Sequence, residues 1–186
     1  MDIPIDISNT ILETERLILR PWQESDVDDL YAYASVPDVG ELAGWPAHKS
    51  LDESRERVQK FIEGKQVFAL YHKQDKKVIG SLGIHNSWAN EDEDFKHLKQ
   101  KEIGYVLSKD YWGQGLMPEA AKAVIDFCFT TLGLEALTCG HFKSNPQSRR
   151  VIEKCGFQFV KEGTFYSAQL QKHFEDMKYI LMQGGM

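Results

Sequence analysis

The chain has 186 residues, of which 42% are hydrophobic and 27% charged, and its formal net charge is −6. This length and composition are typical of one globular domain, and they argue against disordered, collagen-like and coiled-coil proteins. The acidic balance argues against a nucleic-acid surface, because such surfaces bind through clustered Lys and Arg. We therefore expect a single domain over residues 1–186 that binds no nucleic acid.

The first half of the chain predicts one strand, two helices and a hairpin. Glu15–Arg20 is rich in aliphatic residues and stops at a proline, which is typical of a strand. Helices are predicted from about Asp26 to Ala34 and from Leu51 to Ile62, with a loop between them. Val67–His72 and Val78–Ile84 are predicted antiparallel strands joined by a polar turn.

The second half predicts further strands and two helices after a polar segment. Residues 90–101 lack periodicity and predict a solvated loop without a function. The predicted elements that follow are a strand at Glu102–Leu107, a largely buried helix at Pro118–Thr131, a strand at Ala136–His141, a short helix capped by Asn145 and ended by Gly156, and strands at Phe157–Val160 and Lys178–Met182. This order predicts a mixed α/β sandwich around one central sheet.

The stretch from Tyr105 to Ala120 carries the most informative motif. A predicted strand leads into Gly113-Gln114-Gly115 and then directly into a helix. Backbone N–H groups and the positive end of the helix dipole converge at such a turn and bind phosphate, while glycine allows positive φ and close approach of a ligand. Two glycines also occur in strand-to-helix turns for steric reasons alone. Pro118 excludes the dinucleotide-binding glycine pattern, and the lack of a following Gly-Lys-Ser/Thr excludes a P-loop.

A second motif follows the next predicted strand, and the two motifs together carry a family resemblance. The residues concerned are Trp112-Gly113-Gln114-Gly115, Glu119-Ala120, Asn145, Ser148, Lys154, Gly156 and Phe157. In order and spacing they resemble the GNAT family of N-acetyltransferases. The opening Glu15-Arg16-Leu17-Ile18-Leu19-Arg20-Pro21 is similar to the start of the branch that acetylates ribosomal-protein N-termini. The resemblance covers nearly the whole chain.

The resemblance implies a central, mostly antiparallel sheet of about six to seven strands, with helices on both faces. The sheet would be splayed at a cleft for acetyl-CoA, the co-substrate, between the strand that ends at Leu107 and the strand that ends near His141. The residues expected to bind it are Tyr105, Val106, Leu107, Trp112, Gly113, Gln114, Gly115, Leu116, Met117, Asn145 and Ser148. Trp112 stands where the family has Gln or Arg, and Met117 where it has a small residue. Because the phosphate contacts are mainly backbone N–H groups, binding should survive both changes.

The resemblance also implies catalytic roles. Many members carry a tyrosine at the position of Ile152 that protonates the departing thiolate; here Ser148, one turn earlier, would hydrogen-bond the thiolate or relay a proton from water. Glu102 would act as a base through a water, or would be only an exposed carboxylate at the strand end. The N–H of Val106 would face the thioester oxygen. Asn145 is a helix cap in either case, and we expect it close to the pantetheine arm.

Other constellations give no site. The six histidines lack metal-ligand spacing, so we expect no metal, and no Gly-x-Ser-x-Gly elbow is present. His141 is expected to be a packed histidine. The aromatic residues that would either line an acceptor pocket or anchor loops are Trp45, His48, Phe165, Tyr166, His173 and Phe174.

Three functions stay open at this point. The first is acetyl transfer to the N-terminal α-amine of a protein such as a ribosomal protein. The second is acetyl transfer to a small amine such as a polyamine or an aminoglycoside, and the third, supported by Ile152, is a non-catalytic acyl-CoA-binding module. A homodimer is compatible with each. With no membrane-spanning stretch, no leader-like pattern at Met1–Asp6 and three scattered cysteines, a cytoplasmic location is expected.

Overall fold

The computed structural model describes residues 3–185, so the ends of the expected 1–186 domain lie outside the described residues. We number strands and helices separately in chain order. The strands are β1 (Leu12–Glu13), β2 (Leu17–Pro21), β3 (Val67–His72), β4 (Lys77–His85), β5 (Gln100–Leu107), β6 (Ala136–Phe142), β7 (Gln158–Ser167) and β8 (Lys172–Met182). The helices are α1 (Val27–Ala34), α2 (Leu51–Gly64), α3 (Leu116–Thr130) and α4 (Pro146–Lys154).

The described strands form one eight-stranded sheet in the order β1-β2-β3-β4-β5-β6-β8-β7. Every neighbouring pair is antiparallel except β5 and β6, which are parallel. The predicted mixed, mostly antiparallel fold is therefore confirmed. The additional strand is β1, whose two residues are too few to show a strand pattern in the sequence.

Helices cover both faces of the sheet, as expected. Helix α3 buries Ala120, Val124 and Cys128 in a core that includes Leu19 and Phe68 of the sheet. A second core on the opposite face joins α1 and α2 to the sheet through residues such as Leu30, Val58 and Ala69. Burial of a Leu or Val side chain in such a core contributes about 1.5–3 kcal/mol. The two helix layers therefore fix the sheet from both sides.

The differences from the prediction that bear on the site lie in β5, α3 and the last two strands. Gln100 and Lys101 belong to β5 and are 0% and 1% exposed, although the sequence predicted a solvated loop. Their polar groups are satisfied locally, because Gln100 donates to the Phe95 carbonyl at 2.9 Å and the Lys101 ammonium donates to Asn86 Oδ1 at 3.0 Å. Helix α3 begins at Leu116 rather than Pro118. The last two strands extend into a long hairpin.

The parallel pair β5 and β6 opens into a cleft. Their pairing is confined to Gln100–Glu102 against Ala136–Thr138. Beyond these residues β5 continues to Leu107 and β6 to Phe142 without pairing to each other. The splay expected from the family resemblance is therefore present.

Among the described residues, no helix is long and apolar enough to cross a bilayer.

Candidate active site

The cleft between β5 and β6 has a volume of about 940 Å³. Its walls are formed by both strands, by the starts of α3 and α4, and by side chains of α1 and α2 from the opposite face of the sheet. This volume is at the upper end of the range for small-molecule sites, about 300–1,000 Å³. The cleft therefore passes through the sheet and joins its two faces.

Backbone alternation along β5 decides which N–H groups face the cleft. The Ser108 N–H donates to Ile79 of β4 at 2.7 Å, whereas the Leu107 carbonyl accepts from the Trp112 indole N–H at 2.9 Å on the other edge. Because successive strand residues direct their backbone groups to opposite edges, the N–H groups of Tyr105 and Leu107 face the cleft and that of Val106 faces β4. The expectation that the Val106 N–H faces the thioester is therefore corrected.

The glycine turn before α3 has the geometry expected of a phosphate site. Gly113 and Gly115 both have φ of 75°, a conformation that other residues adopt only with strain. Leu116 and Met117 begin α3, so their N–H groups have no acceptor within the helix. Together with the helix dipole, these groups favour an anion at this point.

The two departures from the family pattern do not obstruct the turn. Met117 is only 4% exposed and belongs to the core beneath α3. The Trp112 indole is half-buried, and its N–H donates to the Leu107 carbonyl within the same loop. The backbone path of the turn is therefore compatible with phosphate binding despite both side chains.

A network around Arg16 ties the glycine turn to the residues before β2. Arg16 Nη1 donates to the Gln114 carbonyl at 2.9 Å, and Arg16 Nε and Nη2 both lie 2.7 Å from Glu119 Oε2. Glu119 Oε1 also accepts from the Thr14 hydroxyl at 2.7 Å and from the Arg16 backbone N–H at 2.8 Å. Burial raises the pKa of Glu119, but these hydrogen bonds outweigh it and lower the pKa overall. The sequence indicated Glu119 through its motif but gave no sign of its partners.

Ser148 is paired with a tyrosine that sequence reasoning assigned only to cofactor binding. The Tyr105 hydroxyl lies 2.9 Å from Ser148 Oγ and 3.2 Å from the Ser148 carbonyl oxygen. The Ser148 N–H donates to Asn145 Oδ1 at 3.2 Å, which confirms Asn145 as the cap of α4. Burial raises the pKa of the Tyr105 phenol well above its ordinary value, so the phenol keeps its proton at neutral pH. Ile152 is 1% exposed and packs in the core.

Glu102 lies within β5 and lines the cleft, so the alternative of an exposed strand-end carboxylate is wrong. One of its carboxylate oxygens accepts a hydrogen bond from the Thr138 hydroxyl at 3.1 Å. Burial raises the pKa of Glu102. A second carboxylate, Asp176 of β8, also lines the cleft, and burial raises its pKa as well. Within residues 3–185, Asp176 Oδ1 is buried without a hydrogen-bond partner.

The histidines divide into packed and accessible residues. His141 Nδ1 lies 2.8 Å from the Phe142 carbonyl and His141 Nε2 lies 3.2 Å from the Tyr179 hydroxyl, so His141 is a packed histidine as expected. His85 lines the cleft and was missed. The available signal was its position at the end of a predicted strand that also carries Gly83. Within the described part of the chain, no group of three or more His, Cys, Asp or Glu residues is arranged to hold a metal ion.

The aromatic residues singled out from the sequence do not all reach the cleft. Trp45, His48 and Phe165 are among its lining residues. Phe174 instead stacks on Phe142 with ring centroids 4.2 Å apart. Tyr166 is exposed on β7 and lies against His173, with ring centroids 4.8 Å apart. Aromatic side chains therefore line the cleft from two directions. Trp45 and His48 come from the loop between α1 and α2, and Phe165 comes from β7.

Comparison with known proteins identifies the family. Residues 16–158 match the family described as an acetyltransferase (GNAT) domain. The chain belongs to the GNAT acetyltransferase family. It is 31% identical over 158 residues to the uncharacterized N-acetyltransferase YoaA of Bacillus subtilis, which covers 82% of this chain and 84% of that protein. This GNAT protein is therefore an acyltransferase that uses acetyl-CoA as co-substrate.

Solved structures support the fold. A GNAT-family acetyltransferase from Bacillus anthracis aligns with a TM-score of 0.81 at 20% identity, covering 94% of this chain and 99% of that one. A putative ribosomal-protein-serine acetyltransferase from Vibrio cholerae aligns with a TM-score of 0.76 at 21% identity, covering 94% and 98%. A Vibrio cholerae spermidine N-acetyltransferase solved with CoA and spermine aligns with a TM-score of 0.72 at 17% identity, covering 92% and 98%. At these identities the likeness concerns the fold alone.

Proposed function

We propose that residues 1–186 act as one catalytic domain that transfers the acetyl group of acetyl-CoA to the N-terminal α-amine of a polypeptide, as in the branch that acetylates ribosomal proteins. The observation that carries the proposal is the half-buried Glu102 carboxylate at the point where β5 and β6 separate. An α-amine titrates at about 7.7–8.0, against about 10.4 for lysine. A carboxylate of raised pKa is a sufficient base for an amine that is already partly neutral at pH 7.

The chain's own groups account for binding of acetyl-CoA. The N–H groups of the turn from Gly113 to Met117 would hold the pyrophosphate. The cleft-facing N–H groups of Tyr105 and Leu107 would pair with the pantetheine arm, and the Tyr105 N–H would face the thioester oxygen. Two cationic side chains of α4, Arg150 and Lys154, line the same cleft and suit a further phosphate group.

The remaining expected site residues take supporting positions. The side chains of Val106 and Trp112 would line the cleft beside the bound co-substrate, and Asn145 would hold the start of α4 against it. Leu116 would contribute through its N–H, because its side chain is 1% exposed and lies in the core. Gln114 would be placed by its carbonyl bond to Arg16.

In the transfer step, the neutral amine nitrogen attacks the thioester carbonyl carbon, a C–N bond forms and the C–S bond breaks. Glu102, directly or through a water, would take one proton from the amine. The departing sulfur would receive a hydrogen bond from Ser148, whose hydroxyl is oriented by Tyr105. In this proposal the hydroxyl pair of Ser148 and Tyr105 takes the role that a tyrosine on α4 has in many family members.

A small cationic amine is the second candidate acceptor. Glu102 and Asp176 put two carboxylates on the acceptor side of the cleft, and Asp176 Oδ1 has no partner among the described residues. In a diamine or polyamine, one amine would attack the thioester while a second, positively charged amine would pair with the Asp176 carboxylate. This candidate rests on the charge of the cleft wall rather than on Glu102 as a base.

The two candidates are separated by an acceptor panel. Thiol release from acetyl-CoA would be followed with free peptides, with the same peptides blocked at the N-terminus but carrying lysine, and with spermidine and an aminoglycoside. We expect the highest kcat/KM for peptides with a free α-amine and no reaction with blocked peptides. A higher kcat/KM for spermidine or the aminoglycoside would favour the small-amine candidate. Binding of acetyl-CoA without turnover of any amine would contradict both.

A further inference from the structure

The His85 ring lies on a floor made of two glycines. His85 ends β4 and pairs in register with Glu102 of β5. A Cβ at Gly83 would lie 2.2 Å from His85 Nε2, and a Cβ at Gly104 would lie 3.6 Å from His85 Cδ2. A larger residue at position 83 would therefore displace the ring. The ring extends from the level of Glu102 toward Gly104, which is the direction in which β5 leaves β6.

The protonation state and accessibility of His85 suit proton transfer. Burial lowers the pKa of His85, and the positive charge of Lys101 lowers it further, so the imidazole is neutral at pH 7. The side chain nevertheless remains accessible from the cleft. Within residues 3–185, neither ring nitrogen of His85 has a hydrogen-bond partner, whereas both ring nitrogens of His141 do.

We propose that His85 is a second catalytic residue, which accepts the proton that an acceptor ammonium group must lose before its nitrogen can attack. The inference rests on acetyl transfer to an amine. An ammonium group that enters the cleft gives one proton to an imidazole nitrogen of His85, and His85 passes it to solvent. The neutral nitrogen then forms the C–N bond as the C–S bond breaks, Glu102 takes the second amine proton directly or through a water, and coenzyme A leaves as a thiolate that is hydrogen-bonded to Ser148. Glu102 attracts the ammonium group and stabilises the imidazolium that forms beside it.

The charged and titratable groups around His85 come from several elements. Lys101 and Glu102 lie on β5, and Asp176 reaches the cleft from β8. His48 and Arg57 line the same cleft from the loop before α2 and from α2 itself. The pH dependence of activity therefore reports the coupled site, and substitution of His85 is needed to assign its share.

The test uses His85→Gln, with His97→Gln as a matched control because His97 is exposed in the turn before β5. For a peptide α-amine, of which only about a tenth is neutral at pH 7, we expect His85→Gln to lower kcat/KM at pH 7 by roughly tenfold, because only that neutral fraction can then react. The acetyl-CoA dissociation constant should be unchanged. The deficit should shrink as the pH approaches the pKa of the amine, because the amine then loses its proton without help. Added imidazole should restore activity to His85→Ala.

Two outcomes would overturn the inference. One is a His85→Gln variant whose kcat/KM stays within about threefold of the wild type when chemistry limits the rate. The other is a loss of activity that is the same at every pH and is not restored by imidazole. Such a loss would indicate that the ring only packs against Gly83 and Gly104. A wild-type enzyme that acetylates no amine would instead contradict the proposed function, so the two failures are distinguishable.

Discussion

Replacing Ser148 by alanine separates catalysis from binding. The Ser148 side chain contacts the Tyr105 hydroxyl at 2.9 Å, while the cap of α4 uses the Ser148 backbone N–H, which alanine keeps. The fold and the start of α4 should therefore survive the substitution. A lost hydrogen bond to developing charge costs about 1.5–3 kcal/mol, which corresponds to roughly a 10- to 150-fold fall in kcat.

The matching partner variant is Tyr105→Phe, which removes the hydroxyl that orients Ser148. Because the two hydroxyls form one network, their effects should not add, and the double variant should resemble Ser148→Ala alone. Ser148→Thr keeps a hydroxyl and should recover most of the rate.

The assay is single-turnover acetyl transfer together with calorimetric binding of acetyl-CoA, whose dissociation constant should stay within about threefold of the wild-type value. A Ser148→Ala enzyme that works at the wild-type rate when chemistry is limiting would refute the reasoning, and water would then protonate the thiolate.

Four further predictions concern the phosphate turn, the acid dependence of the Glu119 network and the absence of a metal requirement. Gly115→Val strains a residue with φ of 75°, at a cost of roughly 1–3 kcal/mol, and blocks phosphate approach, so calorimetry should show at least a tenfold weaker affinity for acetyl-CoA. Arg16→Met should weaken acetyl-CoA binding about three- to tenfold, whereas Arg149→Met, which removes an exposed helix-surface pair, should not. The pKa of Glu119 is lowered in the folded state, so its ionised carboxylate stabilises the fold at neutral pH. This stabilisation is lost as the pH falls through the folded-state pKa of Glu119. In thermal melts, Glu119→Gln should therefore show a weaker fall in stability with acid. Chelators should leave turnover intact, and a loss that one divalent ion restores would contradict this.

The fold was largely predictable because the sequence pattern is local. Period-two aliphatic runs and capping residues placed seven strands and four helices, and Asn145 caps α4 as expected. The missed strand β1 contains only two residues. The start of β5 was missed because Gln100 and Lys101 are polar yet buried, and their hydrogen-bond partners are not visible in a hydrophobicity pattern.

The site was predictable to the level of motifs but not of contacts. The glycine turn has the positive φ values that its sequence demanded. The pairing of Tyr105 with Ser148, 43 residues apart, and of Arg16 with Glu119, 103 residues apart, depends on the tertiary fold. The direction of the Val106 N–H depends on the strand register, because a shift of one residue exchanges the two edges.

Amine-dependent release of coenzyme A is the most direct test of acetyl transfer to an α-amine. Free thiol and acetylated peptide would be measured in the same reaction, with a peptide that carries a free N-terminus. The proposed function predicts one thiol for each Nα-acetylated peptide and no release with the blocked peptide. Thiol release that is independent of the amine, or no release with any amine despite binding of acetyl-CoA, would contradict the account.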